Sequence, residues 1–321
     1  MSTAAARLGP WGGAPAERLA ALRIVLLGTA VAYLLVRLPV FLDLGTVGNR
    51  TFDPVGLANV LDRPLGVGAV NVLIFATVAL GLAATAGAAY RITGPAFALG
   101  LLALTTYRSS FGTILWFDSL MVLHVLVLGL APAADAWAVD SRMRSRRDRT
   151  PAAAGLRYGG PIALMAWITV VTYVVAGIAK LRYGGWSWLD GDTLRNHVAF
   201  TAARADLLGG RVSPVAGWLV RNGWLLAPFA AATVVLEFGA PVALLRGRWR
   251  NGWVLATWLL HVGIAASMFV VFHWPLLGAA FAPFFAVERV VESSWASRFV
   301  GRGLAPGREA AYEGRTDQGA S

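Results

Sequence analysis

From Ala20 to Leu38 the chain is almost unbroken apolar sequence, and comparable runs recur as far as residue 290. A run of about 20 such residues matches the hydrocarbon thickness of a bilayer. Inside lipid a helix is the local structure that satisfies its own backbone. The runs predict eight helices, at about 20–39, 67–89, 91–107, 113–133, 160–181, 223–245, 252–272 and 274–290, the third and eighth being short. The expected fold is therefore an all-α, polytopic transmembrane helical bundle. Its composition agrees: 14% of residues are charged and the mean hydropathy is +0.62, where soluble domains carry about 25% charged residues.

Residues 1–17 read as a polar N-terminal tail, 18–292 as the transmembrane domain, and 293–321 as a polar cytoplasmic tail expected to be disordered. The first apolar run has no small-residue cleavage site, so it reads as a retained span rather than a signal peptide. The longest connection, 182–222, reads as an outer loop.

A net charge of +11 can mark a nucleic-acid binder, but here the basic residues sit in short connections between apolar runs. That is a topology signal, and it excludes a nucleic-acid stripe. With the N-terminus inside, the inner segments hold 18 arginines and the outer ones 8. This bias predicts an even number of spans with both termini cytoplasmic, and the heavy Ala, Gly and Arg usage resembles a high-GC bacterial chain, so the expected location is a bacterial inner membrane. There is no cysteine and no HExxH, so thiol catalysis and the common zinc signatures are absent, and no metal is expected.

Ionisable groups inside spans are costly and read first as functional. Five stand out: Asp118 and His124 in the fourth span, Lys180 in the fifth, Glu237 in the sixth and His261 in the seventh. Counting about 1.5 Å per residue puts Asp118 and Lys180 near the outer boundary. The same count puts Glu237 and His261 roughly 12–13 Å from the inner one. Two layers follow, an outer Asp118–Lys180 pair and an inner Glu237–His261 pair. Structural alternatives stand beside them. Lys180 can snorkel to the interface, Asp118 can pair with Arg108 or Arg37, and Glu237–His261 can be an interhelical hydrogen bond. His124 lies about 240° around its helix from Asp118 and reads as a packing histidine.

Lys180 is the sole lysine among 28 basic residues. A buried amine can shed its proton and act as a general base, which a guanidinium cannot do. That is a reason for this one position not to be arginine.

The stretch "AGIAKL…WSWLDGDTLRNH" resembles the HTTM (vitamin K-dependent gamma-carboxylase-like) family, with its lysine helix end followed by Trp and an acidic-Gly pair. "DAWAVD" (Asp135 to Asp140), "LEFGAP" (Leu236 to Pro241) and "LLHVGIAASMFVVF" (Leu259 to Phe272) resemble further family segments in the expected order. The resemblance implies an HTTM-like bundle over roughly residues 15–290. It implies Lys180 as the base toward a reduced, vitamin K-like quinone, with His261 and Asp118 as further catalytic candidates. Trp186, Trp188, Asp190 and Glu237 are the substrate-binding candidates. The family's upstream Asn-His pair is replaced here by "LWFDSL", with Phe117 and Asp118. The carboxylases' large substrate-docking region has no counterpart after residue 290. In length the chain also resembles the SdpB-type proteins, which implies, as the alternative, a non-enzymatic factor for maturation or export of a small secreted peptide. The partners implied are the lipid bilayer and either a lipophilic quinol or such a peptide.

Overall fold

The structure, a computed structural model, describes residues 12–48, 51–114, 116–143 and 154–290. The expected N-terminal and C-terminal tails fall largely outside these residues. Among the described residues the fold is all-helical, with isolated bridges at Ala14–Gly155 and Phe52–Phe111 in place of strands.

Nine helices carry the architecture: α1 (Ala16–Val36), α2 (Val67–Ala86), α3 (Tyr90–Ser109), α4 (Ser119–Leu130), α5 (Leu156–Gly184), α6 (Asp192–Leu207), α7 (Pro214–Arg221), α8 (Leu226–Phe238) and α9 (Arg248–Met268). Three of them, α1, α2 and α5, are long and apolar enough to cross a membrane. A fourth crossing exists if α7 and Gly223–Phe238, bent by 92° at their junction, form one broken span.

The other expected spans take different forms. α4 is only 12 residues long, because the backbone turns through Trp116–Asp118 before it and leaves the helix at Ala131. The expected span at 274–290 is not a continuous helix. It breaks into a four-residue turn at His273–Leu276 and a 3-10 segment at Ala279–Phe284, with Gly278 at φ +76° between them. Pro275 and Pro283 remove backbone donors there and prevent a longer helix.

The packing is that of a bundle with small residues at its crossings. α2 packs on α1 and α3, α3 on α4, and α4 on α5, which in turn packs on α8. At the α3–α4 crossing a Cβ on Gly94 would lie 2.9 Å from the Gly129 carbonyl oxygen, and one on Gly129 would lie 2.7 Å from that of Gly94. Backbones approach this closely only where both side chains are missing. α1 widens into a π-turn at Arg23–Leu27. The fully buried Arg23 donates from that turn to the carbonyls of Ala133 (2.9 Å) and Trp137 (2.6 Å), tying α1 to the segment after α4. Asp140 then accepts the Ala89 and Tyr90 amides, both at 2.8 Å, and caps α3.

The 182–222 segment is helical rather than an open loop. It contains Trp186–Leu189, α6 and α7, which pack on one another and on α8 and α9. The 92° bend between α7 and α8 turns this layer across the end of the bundle where α5 terminates. Gly191, at φ +89°, lets the chain back onto Leu226 and Ala227 at the start of α8.

Candidate functional site

Lys180 lies one turn before the end of α5, and its ammonium donates to Glu237 Oε1 near the end of α8. The side chains are 22% and 8% exposed, so the contact is largely withdrawn from solvent. Gly177, one turn before Lys180, permits it: a Cβ there would stand 3.2 Å from Glu237 Cβ and 3.1 Å from Phe238 Cε2. The Trp253 indole on α9 donates to the Leu236 carbonyl at 2.9 Å.

Trp188 covers the pair, with its ring centroid 5.2 Å from Lys180 Nζ. At that distance the ring quadrupole attracts an ammonium. The indole also reaches Thr233 Oγ1 on α8 at 3.4 Å, and its ring lies 5.8 Å from that of His197 on α6. The helical layer across the bundle end is therefore fastened to the lysine through a single aromatic side chain.

Buried polar atoms without partners occur on α5, α8 and α9, the helices that meet here. Glu237 Oε2, Tyr173 Oη and Thr257 Oγ1 are buried and make no hydrogen bond. Tyr173 precedes Lys180 by seven residues, two turns along the same face of α5. Its ring meets Trp253 at 5.3 Å and His261 at 5.9 Å, the residues that flank Thr257 on α9. His261 Nδ1 lies 2.8 Å from the Thr257 carbonyl, which can only accept, so Nδ1 carries the proton. That leaves Nε2 with a free lone pair. A buried polar atom left unsatisfied costs about 1–3 kcal/mol. Glu237 Oε2 within the pair, and Tyr173 Oη and Thr257 Oγ1 on α5 and α9, are therefore the buried polar atoms here that lack a protein partner.

Both expected pairings are thereby exchanged. Lys180 pairs with Glu237 rather than Asp118, and Glu237 does not bond His261. Counting residues from assumed boundaries misplaced Glu237: α8 starts only after the bent junction, and Lys180 reaches along its stem.

Asp118 belongs to a second cluster. Tyr33 Oη lies 3.1 and 3.0 Å from its two carboxylate oxygens. Arg108 donates to Tyr33 Oη at 2.7 Å and approaches Asp118 Oδ2 at 3.3 Å. His273 stacks on Tyr33 with centroids 4.1 Å apart, and its Nε2 is 3.8 Å from Asp118 Oδ1. Asp118 thus takes the Arg108 pairing that its spacing also allowed, and it does not assist Lys180.

Of the remaining expected residues, Trp186 is 84% exposed. Asp190 Oδ1 accepts the Asp192 amide at 3.0 Å and starts α6. His124 is a packing residue: the Trp274 indole donates to Nδ1 at 3.2 Å, so Nε2 carries the proton and faces the Met165 carbonyl at 3.1 Å. Both ring nitrogens are used, which leaves none for chemistry. Among the described residues no group of three or more acidic, histidine or cysteine side chains is placed to hold a metal ion.

Tyr173, Thr257 and His273 were not singled out by sequence. The seven-residue spacing of Tyr173 from Lys180 was visible in the sequence. The other two had no local signal, because a threonine mid-helix and a histidine after a span are common. No family model, curated protein or solved structure matches this chain.

Proposed function

We propose that this is a multi-pass membrane protein with both termini cytoplasmic, whose Lys180 end faces outward and exchanges protons with a lipophilic hydroxylated substrate of the quinol class. The observation that carries the reading is the Lys180–Glu237 pair with its free Glu237 Oε2, beside the unpartnered Tyr173 Oη, Thr257 Oγ1 and His261 Nε2. The resemblance to the HTTM family supplies the substrate class.

The donor set suits a planar aromatic diol. Glu237 Oε2 and His261 Nε2 accept a hydroxyl proton, and Tyr173 donates to an oxygen. Trp188 and Phe272 offer ring faces, the latter 5.3 Å from His261. A bound reduced quinone would supply an acidic phenolic proton and, on oxidation, electrons. Lys180 and Glu237 hold one mobile proton between them. With that proton on Glu237, Lys180 is a free amine and takes the substrate's proton. The Glu237 carboxyl proton then passes to His261 Nε2, which restores the ammonium–carboxylate pair and leaves the imidazole charged. Trp188 covers one side of the Lys180 head and draws the regenerated ammonium back to its ring face. Arginine at 180 would keep the charge and lose the base.

The test is quinol turnover by the full chain in bilayer nanodiscs. Lys180→Ala and Lys180→Arg should both lower it by at least about 10²-fold, the scale of a positioned acid–base group. Turnover retained in both variants refutes the base.

A second reading, a non-enzymatic factor for a small secreted peptide, draws on the exposed Trp186, Phe200, Leu207 and Trp224 on the helical layer. It predicts wild-type function in Lys180→Arg and loss on replacing those side chains.

A further inference from the structure

With Arg37 counted, the Arg108–Tyr33–Asp118–His273 cluster is one cation in excess. Asp118 neutralises Arg108. Arg37, at the break that follows α1, stands one turn after Tyr33, with its amide donating to the Tyr33 carbonyl at 3.0 Å and its carbonyl accepting from Phe41 at 3.1 Å, and it makes no ion pair among the described residues. His273 Nε2 is buried and makes no hydrogen bond. Its 3.8 Å from Asp118 is too long for one. The groups facing this point come from four places: Tyr33 and Arg37 at the end of α1, Arg108 at the end of α3, Asp118 before α4, and His273 after α9. Arg108 is 11% exposed and is braced against the Phe41 ring at 5.6 Å. Arg37 is half-buried.

An excess guanidinium held among apolar helices lacks a counter-ion, and a buried imidazole nitrogen lacks a partner. One ligand satisfies both: an oxyanion that accepts from Arg37 and from the edge of the Arg108 fork, with His273 Nε2 donating in its protonated tautomer. A further carboxylate from the protein would neutralise the cluster, and none of the described residues supplies it.

We propose that Arg37, Arg108 and His273 form an anion site for a phosphate-type oxyanion, separate from the Lys180–Glu237 pair and not dependent on its chemistry. The cluster shares an end of the bundle with Lys180: Phe272 is 5.3 Å from His261 and 6.3 Å from Phe117, which is 6.5 Å from His273. Such a position near a helix end suits the phosphate of a membrane lipid headgroup, and the same chemistry would accept free phosphate.

The experiment uses the full chain in a neutral detergent at fixed ionic strength, with binding followed by tryptophan fluorescence. Phosphatidylglycerol, phosphatidylcholine and inorganic phosphate are titrated separately into wild type, Arg37→Gln, Arg37→Lys and Arg204→Gln. Arg204 is an exposed arginine on α6 and controls for general charge attraction. Arg37→Gln should weaken phosphatidylglycerol binding about fivefold, the scale of one basic residue near an anionic surface. Arg37→Lys should retain most of the affinity, and Arg204→Gln should match wild type. If inorganic phosphate alone shows the Arg37 dependence, the site stands and its ligand is soluble. Equal weakening in Arg37→Gln and Arg204→Gln overturns the site. So does the absence of any Arg37 dependence with all three probes.

Discussion

The Lys180–Glu237 contact lends itself to a double-mutant cycle. Removing either partner leaves an uncompensated charge in a largely dry setting, which costs about 3–5 kcal/mol for a buried pair. Lys180 retains 22% side-chain exposure against 8% for Glu237, so each single change belongs at the low end, about 3 kcal/mol. Glu237→Leu strands the ammonium, although the Trp188 ring at 5.2 Å softens that loss. Lys180→Met strands the carboxylate, the more buried of the two. Replacing both with apolar side chains of similar volume removes the two charges together and should fall within about 1 kcal/mol of wild type. The single changes would then overshoot the double by several kcal/mol. Equilibrium unfolding of the full chain by SDS in mixed micelles, followed by far-UV circular dichroism, reads all four corners. Additive single changes, with a coupling below about 0.5 kcal/mol, would refute a direct ion pair.

Two further expectations test the packing around each cluster. Gly177→Val sets a branched side chain where Cβ alone meets Phe238 at 3.1 Å. It should cost about 1–3 kcal/mol of stability and lower quinol turnover about 10²-fold by moving Glu237 off Lys180; unchanged turnover would detach that proton chemistry from the α5–α8 contact. Tyr33→Phe removes the hydroxyl between Arg108 and Asp118 and should cost about 1–3 kcal/mol in the same unfolding assay while leaving quinol turnover intact. A loss of turnover there would join the two clusters into one site.

How far the sequence reached differs from residue to residue. The all-helical class follows from the apolar runs, since no other local structure satisfies a backbone in lipid. Arg23, Lys180, Asp118, Glu237 and His261 are each conspicuous as ionisable groups inside those runs, and four of them were singled out for that reason. Arg23 was counted only as a topology signal, because its position near a run's start hides that its guanidinium caps carbonyls 110 and 114 residues away. His124 was placed correctly as a packing residue by helix rotation alone, which needs no knowledge of the partner.

Pairing was the part that sequence could not assign. Depth counted along one helix assumes that every helix starts at the same boundary and stands upright. The 92° bend before α8 and the full 29-residue length of α5 break that assumption. They bring Glu237 to Lys180 and leave Asp118 to Arg108 and Tyr33. The sequence by itself determined that the chain is helical and apolar, and which few charged side chains must find partners inside it. The tertiary structure decided who those partners are, because Coulomb and hydrogen-bond energies depend on distances of a few ångströms. Those distances are set by Gly177, by the turn at Gly191 and by the broken helices, rather than by spacing along any one segment.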